Sequence, residues 1–157
     1  MATNTGKATA DPASLLPALQ RTRGLTVALA APLSDADASV QSMPDASPAK
    51  WHMAHTTWFF EAFVLANVPG YRIFDERYAF LFNSYYEAVG PRHARDRRGM
   101  LTRPTLADVL AWRGHVDDAL TGALPQLDPA ALALVELGIN HEQQHQELLL
   151  TDILDLF

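Results

Sequence analysis

Three times in this chain a residue able to cap a helix stands directly before a proline: Asp11-Pro12, Ser47-Pro48 and Asp128-Pro129. A short polar side chain accepts a hydrogen bond from the first free amides of a helix, and proline in the first turn has no amide to leave unsatisfied. A fourth start is marked by Thr105 with Asp108, the spacing of a capping box. Strand patterns are few, so the chain has to bury its apolar surface by packing helices on one another. The first helix is expected from Pro12 to about residue 30, with Leu15, Leu16, Leu19 and Val27 toward the core, although Gly24 weakens it. Ser34 can cap a short turn. The second long helix follows Pro48 to about Asn67 and is stopped by Pro69-Gly70. Residues 75–89 read as another helix, ended by Gly90-Pro91, and the arginine-rich segment 92–103 reads as loop. The helix opened by Thr105 runs to about Leu124 with Leu106, Val109, Leu110, Val116 and Leu120 on its apolar face, and the last helix runs from Pro129 toward the end. Long helices with short connections predict an all-α, four-helix bundle.

Composition narrows the function classes. At 157 residues with 48% hydrophobic and 19% charged residues, the chain suits one packed domain, placed at 11–157 behind a disordered polar tail, 1–10. Twelve of the 14 aromatic residues lie between 51 and 86, which puts the centre of the core there. There is no cysteine, so any metal must be held by imidazole, carboxylate or water. The net charge of −6 argues against nucleic-acid binding. No apolar run approaches the roughly 18 residues of a membrane span; Glu61 interrupts the best candidate, and with no apolar leader a cytoplasmic protein is expected. Charge is uneven, however: five of the 12 Lys and Arg residues (Arg92, Arg95, Arg97, Arg98, Arg103) crowd into 92–103, either as a site for a small anion or as a solvated loop.

The chemistry-bearing signal is His141-Glu142-Gln143-Gln144-His145-Gln146-Glu147. Residues four apart on a helix lie about 40° apart around the axis, so His141 and His145 point the same way and can share a metal. Glu147, two residues past His145, lies about 200° away and suits a supporting or interhelical role. Leu148 and Leu149 continue the stripe and place the pair near the core, where Gly138 removes bulk one turn earlier. His-Glu-x-x-His is also a zinc-protease signature with Glu142 as general base, but no histidine follows His145, and the protease reading is weak. A third ligand can come from the aromatic-rich helix, where His52 and His55 are both available. His55 is flanked by Trp51, Trp58 and Phe59 on its own side and needs a partner if buried, whereas a hydrogen-bonded role suits His52. His93 reads as loop and His115 as helix surface. Iron, zinc and nickel all suit imidazole ligands.

The segments SPAKWHMAHTTWFFE, FNSYYEAVGPRHARDRRGMLTRPT and GINHEQQHQELLLTDI, in this order, resemble the N-terminal part of the ergothioneine-biosynthesis iron(II) sulfoxide synthases, a helical domain of the DinB-like type. The resemblance implies a DinB-like four-helix bundle holding one Fe(II) through His55, His141 and His145, with Glu147 outside the ligand set. It implies oxygen-dependent joining of a thiol, typically γ-glutamylcysteine, to hercynine, with Arg92 and Arg95, or Arg98 in substitution, holding the donor's carboxylates. The family also carries a second domain, related to the formylglycine-generating enzyme, that supplies a catalytic tyrosine. That domain is absent from this sequence, and Tyr85 and Tyr86 lie in the wrong segment to replace it. The last helix has no terminal glycine or final basic residue, so a fragment of a longer protein is expected. Two alternatives stand beside this: a stand-alone DinB-like thiol transferase using zinc or nickel, and a metal-binding helical module without catalysis.

Overall fold

A computed structural model describes residues 11–84 and 90–157. The tail expected at 1–10 and the segment 85–89, with Tyr85 and Tyr86, lie outside them. Six α-helices are present among the described residues: α1 (Pro12–Ala30), α2 (Asp35–Ser39), α3 (Ala49–Phe63), α4 (Arg77–Phe82), α5 (Leu106–Ala123) and α6 (Pro129–Leu156). No strand occurs among them, and no helix is long and apolar enough to cross a membrane.

The caps act largely as the sequence indicates. Asp11 accepts from the Ala13 amide, Asp128 from the Ala131 amide, and Thr105 with Asp108 closes a reciprocal capping box at the start of α5. Ser34 and Asp37 do the same for α2. Ser47 is the exception: Pro48 occupies the cap position of α3 without a side-chain bond. The Ser47 amide donates to Asp152 at 2.9 Å and its hydroxyl accepts from Arg98 at 2.9 Å, so its polar groups serve tertiary contacts.

The four long helices pack around one core. α6 lies against both α1 and α3, and α3 also lies against α5. Trp51, Trp58, Phe59, Phe60 and Phe82 from the aromatic-rich segment meet Trp112, Val116 and Leu120 of α5 and Val135 and Ile139 of α6. The close approach of α6 to α3 depends on Gly138. A Cβ there would stand 2.7 Å from Phe60 Cζ, inside van der Waals contact.

Several expectations need correction. Val27 and Leu110 face solvent, because the core face of each helix is carried by Leu19, Thr22 and Thr26 or by Val109, Trp112 and Val116. The α-helix after Pro48 ends at Phe63, and its last turn tightens into a 3₁₀ turn at Leu65–Asn67 before Gly70 reverses the chain with φ +81°. Within the described part of the helix expected over 75–89, the helical residues are Arg77–Phe82, and Asn83 turns extended. The arginine-rich segment is not wholly loop: Arg95–Met100 winds into 3₁₀ turns. Gln41 clamps it, accepting from the Gly99 amide at 2.8 Å and donating to the Arg95 carbonyl at 2.8 Å.

Candidate metal centre

α3 carries His55, and α6 carries His141 and His145 one turn apart, so the packing of these two helices is what brings the three rings together. Their centroids form a near-equilateral triangle: 5.0 Å from His55 to His141, 4.7 Å from His55 to His145 and 4.6 Å from His141 to His145. Each ring offers a nitrogen, and the three nitrogens lie within 4.8 Å of one another. This group could hold a metal ion. The closest pair, His55 Nε2 and His141 Nε2, is 3.2 Å apart. Two imidazole donors about 2.1 Å from a common ion stand about 3.0 Å apart at a right angle and about 3.4 Å apart in a tetrahedron. The pair already has ligand spacing.

The protonation states fit the same use. His55 Nδ1 lies 2.6 Å from the Phe82 carbonyl oxygen, which only accepts, so Nδ1 carries the hydrogen. The Nε2 lone pair then faces His141. Burial, followed by the neighbouring His141, holds His55 well below the ordinary imidazole range. His141 is lowered by burial, and His145 is lowered strongly by burial and then by the His55, His52 and His141 rings around it. Neutral imidazoles are the form that ligates a cation. His141 Nδ1 is buried without a hydrogen-bond partner, a cost that ligation through the same ring would help offset. The residues therefore fit a mononuclear site that leaves coordination positions open.

The triad opens into a cavity of about 300 Å³ whose wall includes Trp51, Arg95, Arg98, Gln144 and Leu148. Arg98 is only 5% exposed. Its guanidinium lies 3.4 Å from the centroid of the Trp51 ring, which also stacks with the His55 ring, centroids 4.6 Å apart. Arg95 is exposed, and its guanidinium Nε donates to the Asp45 carbonyl at 3.1 Å. Arg92 is exposed and is not among the residues lining the cavity. The structure thus sets Arg95 and Arg98, rather than Arg92 and Arg95, beside the imidazoles.

The remaining histidines and acids sort themselves. His52 is buried, with Nδ1 2.9 Å from His145 Nδ1 and Nε2 2.8 Å from Asp152 Oδ2. His93 lies in the arginine segment and His115 is exposed beside Tyr71 and Phe74. Glu147 is exposed and makes no side-chain hydrogen bond or ion pair to another helix among the described residues. Leu148 stands at the cavity while Leu149 is in the core, so the histidine stripe borders the apolar face of α6 instead of lying on it.

Glu142 is 0% exposed and turns away from the cavity. Its carboxylate accepts from Arg113 at 2.7 Å, Arg23 at 3.0 Å and the Thr26 hydroxyl at 2.7 Å. Burial alone would raise its pKa, but the two guanidiniums outweigh that and hold it at about 2. A base so placed has no access to a water at the triad, which removes the geometric ground for the protease reading.

Sequence reasoning missed three parts of this site: the burial of Arg98, the clamp on Glu142 and the role of Asp152. Asp152 had a signal. Seven residues past His145, it returns to nearly the same helix face, about 20° short of two full turns. Glu142 and Gln146 likewise share a face by their spacing, and both bond α1 through Thr26 and Thr22.

A four-helix core with three imidazoles at one edge defines a class: all-helical proteins that can carry a single metal between helices. Residues 18–149 match the family model of the DinB superfamily, and the chain belongs to that superfamily. Among curated proteins no match is found.

Proposed function

We propose that this chain is the metal-binding helical part of a non-haem iron(II), oxygen-dependent sulfoxide synthase that joins γ-glutamylcysteine, or a related thiol, to hercynine. The observation that carries the reading is the shared cavity. Three neutral imidazoles face the space that Arg95 and Arg98 also line, so a cation and an anionic thiol would meet within it. Ferrous iron, when bound, supplies the redox centre and a seat for sulfur. The protein's own part is positional. His55, His141 and His145 would hold the ion between them, and three protein ligands would leave positions for thiol and oxygen. Arg98, flattened on Trp51, presents a fixed guanidinium for a carboxylate, and Arg95 adds charge at the rim. The reading places the catalytic tyrosine in a second domain, as the resemblance of the three sequence segments implies.

The test has two stages. The Fe(II)-loaded chain, kept anaerobic, should change its optical or nitrosyl-probe spectrum on adding γ-glutamylcysteine. The natural-length protein should consume oxygen only when thiol and hercynine are both present; no consumption under those conditions rejects the reading. The match to the superfamily as a whole leaves a second reading in play, a zinc- or nickel-dependent thiol transferase. Oxygen-independent conjugation of a thiol by the zinc- or nickel-loaded chain would decide for it.

A further inference from the structure

His145 lies within hydrogen-bond distance of an imidazole that is not itself a member of the triad. Its Nδ1 lies 2.9 Å from His52 Nδ1. Two nitrogens at that distance need one hydrogen between them, and the far end of His52 decides which ring supplies it. There, His52 Nε2 lies 2.8 Å from Asp152 Oδ2, and the same oxygen accepts the Ser47 amide at 2.9 Å. An oxygen already accepting from a backbone N–H is an acceptor toward His52 as well, so His52 Nε2 carries the hydrogen. His52 is 3% exposed, and a single hydrogen on its ring satisfies both contacts, Nε2 donating to Asp152 and Nδ1 accepting from His145. Its Nδ1 is then a lone pair, the hydrogen between the rings belongs to His145 Nδ1, and the remaining lone pair of His145 is on Nε2.

We propose that His52 and Asp152 are positioning residues which, from outside the ligand set, lock His145 in the tautomer that bares Nε2 to the cation. The inference rests on the metal reading of the triad. Its geometry is a relay: the Ser47 amide fixes the Asp152 carboxylate, the carboxylate fixes His52, and His52 fixes both the tautomer and the ring angle of His145. His55 reaches the same state by a shorter route, through the Phe82 carbonyl. α3 and α6 thus each lend the other a support: His52 comes from α3 to hold a ring of α6, and Asp152 comes from α6 to hold a ring of α3. Losing a support of this kind typically weakens metal binding 10- to 100-fold.

The test uses the 157-residue chain with Asp152→Ala and Asp152→Asn. Asparagine can place its carbonyl oxygen where Oδ2 stands and keep both bonds; alanine keeps neither. Nitrogen-15 NMR of the metal-free wild-type chain should show His145 protonated at Nδ1 and bare at Nε2. Asp152→Ala should mix the tautomers and bind Co(II) or Zn(II) 10- to 100-fold more weakly, while Asp152→Asn stays within about threefold of wild type. If Asp152 acted only through its negative charge, alanine and asparagine would weaken binding alike, and that result overturns the relay. So does a wild-type His145 protonated at Nε2. Should the wild-type chain take up no metal, the metal reading fails, and the NMR of the metal-free chain still decides the relay separately.

Discussion

Replacing Glu142 with glutamine tests how α6 is held against the rest of the bundle. Among the described residues the carboxylate is the only anion bonded to Arg113, whose other partners are the Met53 and Arg23 carbonyls and the Thr56 and Thr57 hydroxyls. Arg23 keeps Asp117 at 2.6 Å. In Glu142→Gln, the amide oxygen can replace Oε1, which serves Thr26 and Arg113, but the NH₂ then faces the Arg23 guanidinium, donor against donor. Breaking a buried pair from one side costs about 3–5 kcal/mol, against a total stability of about 5–15 kcal/mol for a domain. Urea unfolding at pH 7 should show that loss. The pH dependence gives an independent check. The carboxyl titrates at about 2 when folded, against an ordinary 4.5. A lowered value means that its contribution is complete above about pH 4.5 and is lost as pH falls toward 2, amounting to on the order of 3 kcal/mol. The gap between wild type and variant should therefore narrow on acidification. A loss below about 1 kcal/mol at pH 7, or a gap that stays constant from pH 6 to pH 2.5, would refute the reasoning.

Gly138→Ala should destabilise the fold by about 1–3 kcal/mol through overpacking on Phe60, although alanine in a free helix would stabilise by about 1 kcal/mol; the sign in urea unfolding decides. Arg98→Ala should weaken binding of a carboxylate-bearing thiol to the Fe(II)-loaded chain about tenfold or more, while Arg92→Ala should leave it within about twofold, both read by titration calorimetry. A divalent metal at 100 times its dissociation constant should add about 2.7 kcal/mol of stability and raise the melting temperature by about 5–10 °C, and His141→Ala should abolish that shift. Gly99→Ala would set a Cβ 2.6 Å from Gln41 Cβ and loosen the turn that carries Arg95 and Arg98; proteolysis within 92–103 should accelerate.

Much of the fold could be read from local chemistry. Asp11, Ser34, Thr105 and Asp128 mark helix starts because a cap is a contact between residues two or three apart. The pairing of His141 with His145 was legible for the same reason, being one helical turn. What the sequence could not supply are contacts across the bundle. Nothing local indicates that Glu142 finds Arg23 and Arg113, since those partners are 119 and 29 residues away. Arg98 is similar: an arginine among arginines reads as solvated surface, and only the tertiary stack on Trp51 buries it. Ser47 looked like a cap because its neighbour is proline, and lost that role to Arg98 and Asp152, which pull its polar groups elsewhere. The choice of His55 over His52 also waits on packing. Both sit on α3, and only the docking of α6 turns one toward His141 and the other toward Asp152.

The central claim is that three imidazoles from two helices close around one cation. X-ray absorption on the chain loaded with one equivalent of Co(II) or Fe(II) measures this directly, because each coordinated imidazole leaves its own multiple-scattering signal. The account predicts three such rings at about 2.1 Å, falling to two in His55→Ala and unchanged in His93→Ala. A wild-type spectrum with at most one imidazole, or one that His55→Ala leaves untouched, would contradict it.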